Sequence, residues 1–511
     1  MSAAAPRRSD RRDLVLACLI AVALMGLYVA AQRGRVPSYD GKIAMATARA
    51  ISEGRLHLEP ADDFYKANLP YSHYGIGMPL VILPLYVLQR ALHVQPDLLV
   101  TLACPLLLSA AAVALYLCGR ELDWSRRVSL AAALAFGALT MVLQFSQEVL
   151  SEPGVAFSTA LLVLGMLRWR TGRGSGPWLT GLGVGSGILF RSDSVLLLGV
   201  GLLLLPVLVP WRRLLRERRA WLGLGLPILA ALVWTGWYGM LRDGTVIPKV
   251  YGGTFRTPLL HGLYDLLLSH GQSFFVFNPF LLLAIPGAVL LWRRDRSVTA
   301  LLLALIVVRP LFYARWADPF GGFTWGPRFL LPAATPLALL AVYGVSRIHR
   351  LPVPLRVPAV LGAAAFVLAG AVVGVASVWV PYEGAYRWSV RAPAELHLEG
   401  QALRDFVAVR RHALFYSFGD GPIAFNLRRM LHNNRFFPLT HFKGGAEPIG
   451  LIGLAAAGLA PLTAWVLARQ RHEQPTVGEA SLEPPVPTAQ GAVAGSGGAA
   501  GGFGGAAGDD R

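Results

Sequence analysis

Charge is scarce in this chain. Only 15% of its 511 residues are Asp, Glu, Lys or Arg, against about 25% in a soluble globular domain, and that shortage argues against a soluble enzyme. Lysine is scarcer still, with four Lys beside 43 Arg. The formal charge of +18 would suggest nucleic acid in a soluble protein, but these arginines cluster between apolar runs, where they anchor loops to an anionic membrane face. No nucleic-acid partner is expected. Cysteine is also rare, and Cys18, Cys104 and Cys118 all sit inside apolar runs. Helical geometry would separate the last two by about 21 Å, so neither a disulfide nor a cysteine metal cluster is indicated. The chain has no HExxH, no Walker loop and no convincing nucleophile elbow.

What is abundant is apolar sequence, 54% of the chain, in uncharged stretches of about 18 residues or more that read as membrane spans. An all-α polytopic membrane protein is expected, with about twelve spans near 14–31, 97–118, 128–147, 153–168, 175–190, 194–210, 220–241, 275–292, 298–314, 329–346, 357–380 and 449–468. The first follows RRSDRR without a good cleavage site after it, so it reads as a retained span rather than a signal peptide.

A thirteenth apolar run, GMPLVILPLYVLQRALHV at 77–94, decides the sidedness of everything after it. If it does not cross, 23 Arg share one side of the membrane and all four Lys fall on the other. Arg-rich short loops stay cytoplasmic, so this run is expected to lie along or dip into the outer leaflet, in keeping with Pro79, Pro84 and Arg90. Three long segments, 32–96, 242–274 and 381–448, then face outside, together with the loop 315–328. Residues 469–511, rich in Gly, Ala and Pro, are expected to form a disordered cytoplasmic tail. Residues 1–380 form the transmembrane catalytic domain in this reading, and 381–448 an outer segment that binds acceptor or serves as a cap.

Ionisable groups at membrane depth are costly and mark function by default. Asp40 lies just past the first span in PSYDGKIAMATARAISEGRL, where Ile43, Ala46, Ala50 and Ile51 form one apolar stripe at helical spacing. The sequence leaves it as either a helix cap or a chemical group. Glu148 and Glu152, in QFSQEVLSEP, are spaced i, i+4, so they are expected to share a helix face with no cation near in sequence. Arg191 and Asp193 interrupt ILFRSDSVLLL, either as a local ion pair or with the arginine bound to a phosphate. The preceding GLGVGSG (181–187) superficially matches a dinucleotide fingerprint, but no strand precedes it, and close helix packing is expected instead. The loop RWADPFGGFTWGPR places Arg315 and Arg328 at its ends, with Trp316, Trp325 and two glycines between them. Guanidiniums grip phosphate oxygens bidentately, so this loop suggests an anion site. Lys249 and Arg256 are further outer cations.

Taken in order over most of residues 1–346, these motifs resemble the GT-C superfamily of integral membrane glycosyltransferases, especially bacterial enzymes related to protein mannosyltransferases and the lipid A aminoarabinose transferase. YDGKIAMATARAISEGRL is similar to the acidic first outer loop with its juxtamembrane helix, and YSHYGIGMPLVILPLYVL to the second juxtamembrane element. FSQEVLSEP resembles the second acidic motif, with Glu152 in the acidic position. Where many members carry Asp-Glu in the first loop this chain has Asp40-Gly41, so either one carboxylate suffices or Glu152 or Asp62/Asp63 completes the set.

The resemblance implies transfer of a hexosyl or pentosyl group from a polyprenyl-phosphate donor to a cell-envelope acceptor, on the outer face of a bacterial cytoplasmic membrane, with both termini inside. A single inverting displacement is expected. Asp40 would be the general base, and Arg328, Arg191, Lys249 or Arg315 would meet the donor phosphate. Glu148 and Glu152 would orient the acceptor or hold a divalent cation such as Mg2+ or Mn2+. Tyr71, His73 and Trp325 are the expected substrate contacts. A lipid or sugar transporter would also bury charge in a bundle, but it calls for inverted repeats and paired broken helices. An inactive scaffold of the same fold is the third alternative.

Overall fold

The computed structural model describes residues 11–36, 38–59, 70–94, 97–211, 213, 217–246, 255–322, 324–379, 416–419, 421–432 and 447–469. Lys249, Asp62, Asp63, most of 381–448 and the whole tail from 470 lie outside the described residues, so expectations placed on them are not addressed below. Helices are the regular secondary structure of the described residues, with no β-strand among them.

The chain folds as a multi-pass membrane protein. Among the described residues, seven stretches are long and apolar enough to cross a bilayer: 11–31, 100–121, 218–243, 296–313, 328–350, 353–379 and 447–468. At other expected spans stand α7 (Glu152–Arg170), which is long enough but carries more polar residues, and the shorter α8 (Ser175–Phe190) and α9 (Val195–Leu208). Between α1 (Arg11–Ala31) and α4 (Ala103–Glu121) come two helices of a different kind, α2 (Tyr39–Ser52) and α3 (Gly77–Ala91). With 15 residues, α3 spans about 22 Å, short of the ~30 Å hydrocarbon core. Leu80, Val87 and Leu88 are exposed on it, while Met78, Pro79 and Ile82 are buried.

One expectation is corrected. Residues 128–147 do not form one helix. They divide into α5 (Arg126–Ala138) and α6 (Val142–Phe145). The Thr140 hydroxyl donates back to the Phe136 carbonyl at 2.6 Å, and the amide of Met141 donates to Oδ1 of Asn278 at 2.7 Å. Asn278 itself lies between α12 (Phe274–Phe277) and a 3₁₀ turn at Pro279–Leu283. Two helix breaks therefore face each other, and the buried Asn278 side chain satisfies backbone groups that each break releases.

The glycines of GLGVGSG pack helices closely, as expected. A side chain at Gly185 would meet the Pro227 carbonyl at 2.5 Å on α10 (Arg218–Asp243), and one at Gly183 would meet Leu162 N at 2.6 Å on α7. Alternate glycines thus let α8 wedge between α7 and α10. This wedge fixes the elbow after Phe190, where the helix stops at the extended Arg191 (φ −151°, ψ 127°) and restarts as a 3₁₀ turn leading into α9.

Candidate active site

Six separate chain segments converge at one end of the bundle. The first turn of α2 brings Asp40, and the helix is capped by Ser38, whose hydroxyl accepts from Gly41 N at 3.3 Å. Asp40 is therefore not the cap, and both its oxygens bind elsewhere. The phenol of Tyr74 donates to Oδ1 at 2.5 Å and Arg328 Nη1 donates to Oδ2 at 2.7 Å. Glu152 opens α7, with Pro153 following in the first turn, and the helix N-terminus favours its negative charge.

Glu152 is 1% exposed, yet it is not alone. Arg191 Nη1 reaches its Oε1 at 2.9 Å, and Arg328 Nε approaches the same oxygen at 3.5 Å. Arg191 also pairs through Nε with Asp193 Oδ1 at 3.0 Å, and Asp193 Oδ2 in turn accepts from Arg309 Nη1 at 3.2 Å. The six groups alternate in sign: Asp40, Arg328, Glu152, Arg191, Asp193, Arg309. Tyr313 donates its hydroxyl to Asp193 and accepts from Arg191 Nη2 at 3.2 Å.

The aromatic Phe329 ring sits against this chain. Arg191 and Arg328 lie 4.7 and 5.2 Å from its centroid, and Tyr313 stacks on it at 4.3 Å with a 17° interplanar angle. Cation–π attraction to one ring helps hold two like charges near each other. The approach of Arg328 depends on Gly321 (φ +80°), where a side chain would strike Arg328 Nε at 2.7 Å.

These arginines open onto a cavity of about 380 Å³. Its wall includes His73, Tyr74, Arg191, Arg242, Arg328 and an aromatic group of Trp234, Tyr238, Phe312, Tyr313, Trp316 and Phe329. Asp193 and Asp318 are the carboxylates of the wall, whereas Asp40 and Glu152 are not part of it and stand behind the guanidiniums. Burial alone would raise the Asp40 carboxyl, but the charge of Arg328, the hydrogen bonds from Tyr74 and Arg328, and the more distant Arg191 outweigh it and hold the group below its ordinary value. For His73 burial dominates and lowers the imidazole below its ordinary value, while Asp40 opposes the shift and Arg242 adds to it.

Of the expected site residues, Asp40, Glu152, Arg191 and Arg328 come together, and His73 joins the cavity wall. Tyr71 stands behind the wall, its ring 6.2 Å edge-on from Tyr238. Trp325 is buried against Phe277, 5.1 Å between centroids, away from the cavity. Arg315 is exposed and does not line the cavity. Glu148 is buried but lies in the turn before α7, so the expectation that it shares a helix face with Glu152 is corrected: the chain is not helical between α6 and α7. Among the described residues no group of three or more His, Cys, Asp or Glu could hold a metal ion. Asp40, Glu152 and Asp193 face guanidiniums rather than one another, which is a poor arrangement for a divalent cation.

Sequence reasoning passed over Tyr74, Arg242, Arg309, Tyr313 and Phe329. Arg309 left a readable signal, a lone cation in the apolar run LIVVRPLF, and an intramembrane charge marks function by default.

No protein-family model matches the chain, and no curated protein matches it. Among solved structures, it is similar to ArnT from Cupriavidus metallidurans in the apo state, with TM-score 0.49 and 15% identity over 86% of this chain and 77% of that one. The same protein bound to undecaprenyl phosphate gives TM-score 0.47 and 17% identity over the same shares. The archaeal oligosaccharyltransferase AglB from Archaeoglobus fulgidus, in complex with an inhibitory peptide and a dolichol-phosphate, gives TM-score 0.44 and 14% identity over 73% of this chain and 57% of that one. These are likenesses of helical arrangement.

Proposed function

We propose that this chain is a membrane glycosyltransferase of the GT-C type, moving one hexosyl or pentosyl group from a polyprenyl-phosphate donor to a cell-envelope acceptor. The observation that carries this reading is the convergence of Arg191 and Arg328 on a single buried carboxylate oxygen while both line an aromatic cavity. Glu152 aligns the two guanidiniums in advance, and their remaining donors can take a phosphate from the cavity side. The aromatic wall offers apolar faces to the sugar ring and the start of the prenyl chain, as ligand pockets commonly do.

The acceptor oxygen attacks the anomeric carbon as the bond from that carbon to the phosphate oxygen breaks, with inversion. The departing phosphate keeps the electron pair, and Arg191 and Arg328 stabilise the charge it gains. Asp40 is the final proton acceptor. Its ionised state is secured by Arg328, so the residue that meets the phosphate also keeps the base ready.

We place the site on the outer face of a bacterial cytoplasmic membrane, with both termini inside, because the Arg-rich loops gather at the opposite end of the bundle. Cysteines replacing Arg315 and Arg350, both exposed, test the sidedness: an impermeant thiol reagent added to intact cells labels position 315, and position 350 reacts only after lysis. The reverse pattern overturns it. The activity test incubates purified protein with a panel of polyprenyl-phosphate sugars and measures released lipid phosphate. One member of the panel is expected to react. A protein that carries intact lipid across a vesicle bilayer and releases no phosphate is a transporter instead.

A further inference from the structure

Asp40 does not line the cavity, and each of its oxygens already accepts a bond. Tyr74 does line the cavity, and its phenol makes the bond to Oδ1, at 2.5 Å. The shortest route for a proton from the cavity to the carboxylate therefore runs through that phenol. We infer that Tyr74 is a catalytic relay, its oxygen taking the acceptor hydroxyl's proton as its own proton passes to Asp40. The inference rests on the glycosyl-transfer reading and adds one catalytic residue to it.

The step balances. The acceptor O–H bond breaks and its oxygen bonds to the anomeric carbon. The bond from that carbon to the phosphate oxygen breaks, leaving its electron pair on the phosphate. One proton moves from acceptor to Tyr74 and another from Tyr74 to Asp40, so the phenol ends as it began. Asp40 gains the proton while the phosphate gains the negative charge, and the total charge is unchanged. Tyrosine serves elsewhere as a general acid or base, and here the carboxylate beside it supplies the driving force. The surroundings hold the phenol in place: Tyr74 N donates to Ser72 Oγ at 3.1 Å, and the His73 ring lies 4.2 Å from the Tyr74 ring.

The experiment compares the parent with Tyr74→Phe and Asp40→Asn, using the polyprenyl-phosphate sugar that the parent accepts. Tyr74→Phe keeps the ring and loses the relay, so kcat falls about 10²-fold or more, within the 10²–10⁴ range of lost general-base catalysis, while donor affinity stays within about twofold. Asp40→Asn loses both turnover and donor affinity, because Arg328 loses its partner. A plot of parent rate against the deuterium fraction of the solvent bows downward, reporting two protons in flight. That plot needs no variant, and so serves even where Tyr74→Phe fails to fold. The relay is overturned by a straight plot, or by a folded Tyr74→Phe with turnover close to the parent's. A parent that releases no lipid phosphate from any donor defeats the glycosyl-transfer reading itself, which is a different failure.

Discussion

At one end of the bundle three carboxylates alternate with three guanidiniums, none with a side chain more than 20% exposed. At the other end the same residue types form small separate groups. Asp13 takes Arg120 at 3.3 Å and Arg126 at 2.9 Å, Glu121 takes Arg168 and Arg173 at 3.1 Å each, and Arg170 meets Asp295 at 2.5 Å. Exposure there reaches 49%, at the Arg213–Glu217 pair. The Arg-rich end uses charge to fasten loops and helix ends, where water and lipid headgroups share the cost. The site end carries a continuous chain in which each inner member answers to two neighbours, so one deletion is felt along its length. Burying ions costs several kcal/mol apiece before pairing recovers it, and that cost falls where a cavity adjoins.

The contrast is sharpest at Glu152, where the largest effect is expected. Glu152→Gln removes the negative charge that Arg191 and Arg328 share, leaving two guanidiniums close together with a neutral amide between them. Breaking a buried pair from one side costs about 3–5 kcal/mol, so thermal unfolding in detergent should shift clearly, and turnover in folded protein should drop to background. A variant with parental melting and activity would show that the alternating chain is no more than a set of independent pairs.

Asp40→Asn comes next, with turnover lower by about 10²–10⁴-fold and a smaller loss of stability. Its pH dependence has a definite sign. The folded-state pKa is depressed, so the stability that Asp40 contributes is present above the unfolded value of about 3.9 and is lost as pH falls through the lower folded value. The melting difference between parent and Asp40→Asn should therefore hold constant from pH 7 down to about 4 and shrink only below that. A difference that fades already near pH 6 would mean that Arg328 does not govern this carboxylate.

The sequence makes the helices legible because long apolar runs have few other fates, and charge asymmetry sets the expectation for 77–94 because each crossing reverses the loops beyond it. The break after α5 is not legible, since the group that repairs it, Asn278, belongs to another helix. The site was half legible for the same reason. Asp40, Glu152, Arg191 and Arg328 stand out as charges in apolar surroundings, but which of them touch depends on packing. Glu148 and Glu152 read as a repelling pair because their own segment holds no cation; the arginines that neutralise Glu152 come from the α8 elbow and the loop before α15 (Ala334–Ser346). Tyr74, Tyr313 and Phe329 left no signal, because aromatics make up 10% of the chain and most belong to packing or to interfacial belts.

Arg328 separates charge from geometry with an intermediate effect. Arg328→Lys keeps one positive charge near Asp40 but loses the planar fork that spans Asp40 and Glu152. Partial activity is expected, with weakened donor binding, and Arg328→Ala should bind donor far more weakly. Donor affinity and turnover measured for both variants check this. An alanine variant that folds and binds donor like the parent would reduce Arg328 to a structural arginine, and the site end would then resemble the other.

The smallest effect belongs to the Arg-rich end and serves as the control on the whole contrast. Arg213 Nε lies 3.7 Å from Glu217 Oε1, with side chains 32% and 49% exposed, a distance and exposure at which solvent screening leaves little attraction. The same arginine donates through Nη1 to the carbonyls of Trp169 and Arg170 at 3.0 Å each, capping the C-terminal end of α7, where a cation is favoured. The cap does not need the carboxylate. Glu217→Gln should therefore change stability by less than about 0.5 kcal/mol and leave turnover and donor affinity at parental values, whereas Arg213→Ala should cost more stability, through the lost cap, and still spare turnover. Melting and lipid-phosphate release measured on both variants decide it: if neutralising Glu217 lowers turnover as neutralising Glu152 does, the two ends do not differ in kind, and the chemistry cannot be confined to the buried chain.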